Sequence, residues 1–283
     1  MRPLLPLTGE WVGALRDGLG QQLDLLGVSP VSEPKPQEET GVMEQASTAA
    51  PTSLLIIDTE TTGLDPEVDR CIELGCILFD VASRSVLSQQ SFLLPVETNA
   101  AEAINRIPAA VSRRPQPWLE GLHWFGHLLE VADALVAHNA AFDRQWFGRG
   151  SLPKVDRPWI CSMEDIRWPT DRQLRPRPSV RDLALAYGVP VWAAHRALTD
   201  CIYLAEVFAR CDDLELLLQR GLEPRQLMRA RVSFDERHLA KEAGFRWNDP
   251  IKGAWTRRLS ARECQELAFP AVPVELIPDQ LPG

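Results

Sequence analysis

The pattern of apolar and polar positions changes character along the chain. Over residues 1–29, large apolar side chains recur at helical spacing, at Trp11, Leu15, Leu19, Leu23 and Leu26, although Gly13, Gly18, Gly20 and Gly27 weaken that helix. Residues 30–52 are rich in Pro, Glu, Ser and Thr, a composition that cannot bury a core and predicts a disordered linker. Leu54-Leu55-Ile56-Ile57 predicts a buried strand. Cys71 to Val81 and Val86 to Leu94 predict two more, joined by a polar turn at Ser83-Arg84-Ser85. Helical patterns follow at 99–106 and 118–131, then a short apolar strand, Ala134 to Ala137, ending at His138. A helix begins near Ala141, and Pro158 to Cys161 reads as a strand. Ser179 to Tyr187 and Arg196 to Cys211 read as helices, the first stopped by Gly188 and Pro190. Three antiparallel strands followed by alternating helices and strands predict an α/β fold: a mixed sheet flanked by helices.

The tail from residue 227 reads as a separate small β-α-β module. Val232 and Phe234 suggest a strand, and Asp235 could cap a helix ending at Gly244. Trp255 starts a return strand after the turn Asn248-Asp249-Pro250, and Ser260-Ala261-Arg262-Glu263 is a capping box that opens a last helix. The predicted organisation is thus a tail (1–29), a linker (30–52), a main domain (53–212), a connector (213–226) and the small module (227–283).

Composition refines this picture. No run of apolar residues is long enough to span a bilayer, and the first residues lack the apolar core of a secretory signal, so a cytoplasmic location is expected. The six cysteines form no C-x-x-C pair and are read as reduced thiols rather than zinc ligands. The net charge of −9 is unevenly spread: residues 225–262 carry ten Lys/Arg against four Asp/Glu, a local +6 that leaves −15 on the remainder.

Three short patterns carry chemistry. The first, Asp58-Thr59-Glu60-Thr61-Thr62-Gly63, places two carboxylates two residues apart at the end of a strand, hence on one face of the sheet. The second, His138-Asn139-Ala140-Ala141-Phe142-Asp143, puts an acid near the start of a helix, where it is either a ligand or a structural cap. In the third, His195-Arg196-Ala197-Leu198-Thr199-Asp200, a histidine and an acid bracket the start of a helix that turns Asp200 inward. Clustered carboxylates repel one another unless a cation neutralises them, and oxygen ligands suit Mg²⁺ or Mn²⁺. Four acids and a histidine are what two-metal hydrolysis of a phosphodiester needs, so the residues themselves point to a nuclease.

In this order and spacing the three patterns resemble the motifs of the DEDDh exonucleases, the DnaQ-like proofreading group of the RNase H-like superfamily, over about residues 53–212. The histidine in the third motif separates this branch from one carrying tyrosine. The chain departs from the pattern at Asn105-Arg106-Ile107-Pro108, where many members carry an Ile-His-Gly-Ile-like segment. The resemblance implies an RNase H-like fold. It further implies that Asp58, Glu60, Asp143 and Asp200 hold two divalent ions, with Asp58 bridging, and that His195 takes the proton of the attacking water. Thr61, Leu64 and Asn139 would contact the terminal nucleotide, with Phe142 in the core, and the product would be a nucleoside 5′-monophosphate. The expected activity is 3′–5′ hydrolysis at DNA 3′ ends, in proofreading or repair. A ribonuclease of the same fold and a non-catalytic nucleic-acid-binding adaptor are the alternatives.

Partners can be read from the extensions. Gln22-Leu23-Asp24-Leu25-Leu26 resembles the peptide with which bacterial proteins bind the sliding clamp, Gln22 hydrogen-bonding while Leu23, Leu25 and Leu26 fill a groove; a turn of amphipathic helix would look the same. A polymerase subunit is a further expected partner, and a membrane is not. In the basic tail, Phe234, Phe245, Trp247 and Trp255 interleave with Lys and Arg, as in single-strand binders, though the aromatics could equally form the module's own core. Arg167, Arg172, Arg175, Arg177 and Arg181 form a second basic stretch, read either as a substrate-guiding loop or as a solvated one.

Overall fold

The computed structural model describes residues 49–193 and 195–274. Its larger sheet begins with an antiparallel meander, β1 (Ser53–Thr61), β2 (Cys71–Asp80) and β3 (Ser85–Leu93). Two short strands, β4 (Ala134–Ala137) and β5 (Trp159–Cys161), add parallel to β1 in the order β3-β2-β1-β4-β5. This is the mixed sheet expected from the sequence. Between β3 and β4 come two single-turn helices, α1 (Glu102–Asn105) and α2 (Ala109–Ser112), and the longer α3 (Trp118–Val131); α4 (Ala140–Arg144) follows β4. After β5 the chain forms α5 (Val180–Ala186), α6 (Ala197–Ala209) and α7 (Leu214–Gly221). Ser179 and Asp182 make the capping box of α5, and Gly188, at φ +68°, lies just beyond its end.

Both faces of the sheet are covered, which is why β1 reads as an unbroken apolar run rather than an alternation. Leu54 and Ile56 pack with Leu204 and Phe208 of α6 and Leu218 of α7; Leu55 and Ile57 pack with Phe125 and Leu128 of α3 and with Trp146. The period of two carries on into the polar end of the strand. Asp58 and Glu60 inherit the α6 side, and Thr59 the α4 side. One strand thereby supplies both sides of the site.

The stretch from 213 to 226, expected as a connector, contains α7, whose Leu214, Leu217 and Leu218 belong to the core of the larger sheet. The small module is also richer than a β-α-β unit. It is a four-stranded antiparallel sheet of order β7-β8-β6-β9, from β6 (Arg225–Ala230), β7 (Arg246–Trp247), β8 (Trp255–Ser260) and β9 (Ala271–Pro273), with α8 (Arg237–Glu242) and α9 (Ala261–Gln265). Its first strand precedes Val232 and Phe234, where it was expected. Leu227 and Met228 are buried on opposite faces, so β6 lacks the alternation that would have marked it. Asp235 does not cap α8; Glu236 holds the N-cap position and accepts instead from Ser233. The capping box of Ser260 and Glu263 is present. Phe245 is core and Trp255 packs against that core, whereas Phe234 and Trp247 are exposed. No helix among the described residues is long and apolar enough to cross a membrane. The pentad Gln22 to Leu26 and the helix expected over residues 1–29 lie outside the described residues.

Candidate functional site

The C-terminal end of β1 meets the first turns of α6 and α4. Asp58, Glu60 and Asp200 converge there, each offering one carboxylate oxygen within 4.8 Å of the others. Gly75 on β2 makes that approach possible: a Cβ at this position would lie 2.4 Å from the backbone nitrogen of Leu198, so only glycine lets the start of α6 settle on the sheet.

Asp143 belongs to the other side of β1. Its Oδ1 accepts from the Thr59 backbone N–H at 3.0 Å and from the Thr59 hydroxyl at 2.8 Å, and it is 2 % exposed. The structure therefore brings three of the four expected acids into one cluster and anchors the fourth to the intervening residue of the same strand. Asp143 still bears on the cluster, because its charge helps to raise the pKa of Asp58.

These carboxyl groups are uncomfortable as anions. Burial, then the neighbouring Asp143, Asp200, Glu60 and Glu73, push Asp58 well above the usual carboxylate range. Burial with Glu73 and Asp200 raises Glu60 to about 8, against the pull of Arg196. Asp143 is raised to about 7 by burial, against its two bonds from Thr59. Burial also raises Asp200, while His195, the backbone N–H groups of His195 and Arg196, and Arg181 pull it down. An all-oxygen donor set of repelling, partly buried carboxylates fits a hard divalent cation, which would supply the missing positive charge.

His195 is exposed at the head of α6, with its backbone in the left-handed region at φ +59°. Such a conformation in a non-glycine residue costs roughly 1–3 kcal/mol and tends to occur where function holds it. The histidine of the second pattern differs. His138 is largely buried, its Nδ1 lies 2.9 Å from the Ser162 hydroxyl, and burial lowers it to about 4, so it is neutral near pH 7. Thr61 is buried, its hydroxyl donating to the Gly63 carbonyl at 2.6 Å, whereas Leu64 is 80 % exposed. Asn139, at φ +68°, occupies the N-cap position of α4 without a side-chain cap bond. Phe142 packs edge-on against Trp146, as core.

Three positioning residues, Glu73, Arg196 and Asn105, were given no such role from the sequence. Glu73, 1 % exposed in β2, accepts from Arg196 Nε and Nη2 at 3.0 and 2.9 Å and from the Ala197 N–H at 3.2 Å. This ion pair, buried on the Glu73 side and half-exposed on the Arg196 side, ties the His195–Asp200 loop to the sheet. Asn105, at the point of departure from the family pattern, is 1 % exposed and donates to the Thr61 carbonyl at 3.0 Å, fixing the turn after β1. A charged residue inside the apolar run of β2 was the one signal that could have revealed Glu73.

The second basic stretch is mostly committed within the protein. Arg167 pairs with Glu263, Arg175 with Asp182 and Arg177 with Glu164, while Arg172 donates to the Ala186 carbonyl and lies over the Tyr187 ring. Arg181 is exposed and pairs with no acid among the described residues.

Comparison with known proteins agrees with this geometry. A family model described as "Exonuclease" matches residues 55–208, and one described as a domain of unknown function matches residues 226–274. The DNA polymerase III subunit epsilon of Treponema pallidum is 30 % identical over 159 residues, covering 53 % of this chain and 72 % of that protein. The PolC-type DNA polymerase III of Thermotoga maritima is 27 % identical over 187 residues, 58 % of this chain but 12 % of that much longer one. A solved structure of exonuclease X in complex with 5′ overhanging duplex DNA is 28 % identical and covers 59 % of this chain and 99 % of its own, with a TM-score of 0.43. With more than half its length matched by the family model, and the three patterns meeting at one strand end, the chain belongs to the Exonuclease family, as a DnaQ-like member of the RNase H-like superfamily.

Proposed function

We propose that this protein is a metal-dependent 3′–5′ exonuclease that releases nucleoside 5′-monophosphates from DNA ends. The observation that carries the reading is the convergence of Asp58, Glu60 and Asp200 beside an exposed histidine. The names of its relatives, a DNA polymerase III subunit epsilon and a PolC-type DNA polymerase III, favour DNA over RNA and make a polymerase a fitting partner.

In this mechanism Asp58, Glu60, Asp143 and Asp200 would hold two Mg²⁺ or Mn²⁺ ions. When bound, such ions ease deprotonation of water and neutralise charge on a leaving oxygen. His195 accepts the proton of the attacking water; its exposed loop position gives it access to solvent and substrate. Arg196, bound to Glu73, sets the orientation of that loop. Leu64 offers an exposed apolar side chain against which a terminal base can rest, and Thr61 and Asn139 contact the same nucleotide. The small C-terminal module acts as an accessory unit, and Gln22, Leu23, Leu25 and Leu26 serve as a clamp-binding peptide.

The test is product release from 3′- and 5′-labelled DNA and RNA oligomers with Mg²⁺, Mn²⁺ or EDTA. Mononucleotides shed from DNA 3′ ends, dependent on metal and lost in Asp58→Ala and Asp143→Ala, are the expected result. Wild-type rates in both variants would remove these acids from the mechanism. Preference for RNA would establish the ribonuclease reading, and binding without hydrolysis the adaptor reading. A pull-down with sliding clamp, lost in Leu25→Ala/Leu26→Ala, tests the peptide.

A further inference from the structure

The small sheet turns one of its faces toward the larger domain. On β8, Thr256 and Arg258 share that face; Leu227 of β6, opposite Arg258, lies on it too, and Arg246 of β7, opposite Thr256. Between this face and the edge of the larger sheet is a cleft of about 980 Å³. Its far wall is built by Asn139 and Arg144 of the α4 region and by Trp159 of β5.

The charge of the cleft is the reverse of the chain's. Six arginines line it against four acids, and every one of those acids is already engaged by an arginine: Glu164 by Arg177, Asp165 by Arg225, Asp249 by Arg246 and Glu223 by Arg262. Three of the six arginines pair with no acid among the described residues; Arg257 is partly buried and donates to the Ala243 carbonyl, which leaves two at the surface. Arg144 is exposed and makes no side-chain hydrogen bond or ion pair among the described residues, and Arg258 is exposed with a single bond, to the Arg225 carbonyl at 2.7 Å. One stands on each wall. What remains for a ligand is thus positive, lies on two sides, and has guanidinium donors to spare, the chemistry that grips phosphate.

Two elements join the cleft to the carboxylates. Helix α4 has Asp143 on its inner face and Ala140, Ala141 and Arg144, spaced three and four apart, toward the cleft. The loop before α5 has Arg177 in the cleft wall; four residues on, in the first turn of α5, the exposed Arg181 lies within charge reach of Asp200. Each element thus runs from the neighbourhood of the carboxylates to the cleft wall.

We propose that this cleft holds the single-stranded DNA leading to the end being hydrolysed, with Arg144 and Arg258 gripping its phosphates from the two walls. This gives the small C-terminal sheet a role as a strand holder, and it rests on the nuclease reading above. The prediction is a dependence on length. A dinucleotide reaches only the carboxylates, whereas a long strand also fills the cleft.

The experiment compares wild type with Arg144→Gln/Arg258→Gln, and with Arg144→Gln alone, which touches nothing in the small sheet. Binding of fluorescent dT20 is measured in EDTA across a salt series, and hydrolysis of dT20 and of a thymidine dinucleotide is measured with Mg²⁺. Each lost phosphate contact flattens the dependence of log affinity on log salt by about 0.7, so the double variant should lose about 1.4 from the slope and the single variant half of that. Dinucleotide hydrolysis should stay at the wild-type rate. An unchanged salt slope in the double variant, or equal losses on both substrates, overturns the proposal. If neither substrate is hydrolysed by wild type but the dT20 slope still falls as stated, the nuclease reading fails and the strand-holding cleft stands.

Discussion

Near the end of β1 the protein gathers acids beside acids; beneath the small sheet it buries an acid among arginines. Asp58, Glu60 and Asp200 have few protein cations around them, and their carboxyl groups are all raised. Glu263 is more enclosed still, at 6 % exposed, yet it sits 2.7 Å from Arg167 Nε and 3.3 Å from Arg225 Nε. Burial alone would raise it, but Arg167, the Ser260 N–H, Arg225 and Arg257 outweigh burial and hold it below the usual carboxylate range. Arg225 is itself saturated, donating to the carbonyls of Gly221, Glu223, Asp165 and Arg220. A charge cluster that the fold completes serves structure. One that the fold leaves incomplete is a demand for something from outside, which in the proposed mechanism is divalent cations.

The largest effect should come from removing one acid at the incomplete cluster. Asp58→Asn should slow hydrolysis by at least ~10³-fold, about 4 kcal/mol of activation free energy. The same change should raise the melting temperature of the metal-free protein at pH 8, since it relieves repulsion. Lower stability in EDTA would mean that Asp58 is a compensated structural carboxylate, and the contrast between the two clusters would collapse.

The complete cluster should respond with the opposite sign. Glu263→Gln leaves Arg167 and Arg225 with a neutral partner, a loss that costs ~3–5 kcal/mol when a buried pair is broken. Urea denaturation measures it directly. Stability within ~0.5 kcal/mol of wild type would show that the arginines find water instead, and that the junction is held by packing alone.

Titration separates the two again. The folded-state values of Glu60, about 8, and Asp143, about 7, lie above their ordinary values of 4.5 and 3.8. Across that interval the unfolded chain has given up protons that the native state keeps, so these groups make stability fall as pH rises from about 4 to 8. Glu263 acts the other way: its lowered value contributes stability at neutral pH that is lost on acidification below the ordinary carboxylate range. In EDTA the melting temperature should therefore decline between pH 6 and 8.5, and Mg²⁺ should restore it most at the alkaline end. A melting curve indifferent to Mg²⁺ at pH 8.5 would count against cation binding.

Much of the incomplete cluster was legible in the sequence, because it follows from local rules. The period of two along β1 put Asp58 and Glu60 on one face, and the pattern of α6 turned Asp200 toward the sheet. The same period places Thr59 on the opposite face, which is why Asp143, held by Thr59, acts on Asp58 from that side. The ties that depend on distant segments were not legible: Glu73 with Arg196 lies 123 residues apart in sequence, and Asn105 reaches back 44 to Thr61. The complete cluster was invisible for the same reason. Arg167 read as part of a basic loop and Glu263 as half of a capping box, and only the fold brings them together. The strand that carries Arg225 was missed because both its faces are covered.

The smallest expected effect sharpens the comparison by changing burial while keeping the chemistry. Arg262 pairs with Glu223 at 2.8 Å and with Glu266 at 2.9 Å, one residue along from Glu263, but its side chain is 30 % exposed and that of Glu266 is 62 % exposed. Water can replace both partners there, and holding a long side chain in place costs entropy. Arg262→Ala should accordingly lower stability by only ~0–1 kcal/mol in the same urea experiment. A loss as large as that of Glu263→Gln would mean that proximity to opposite charge, rather than enclosure away from water, sets the strength of the junction. A small loss beside a large one would assign the difference to desolvation, the same force that raises the carboxyl groups of Asp58 and Glu60 on β1.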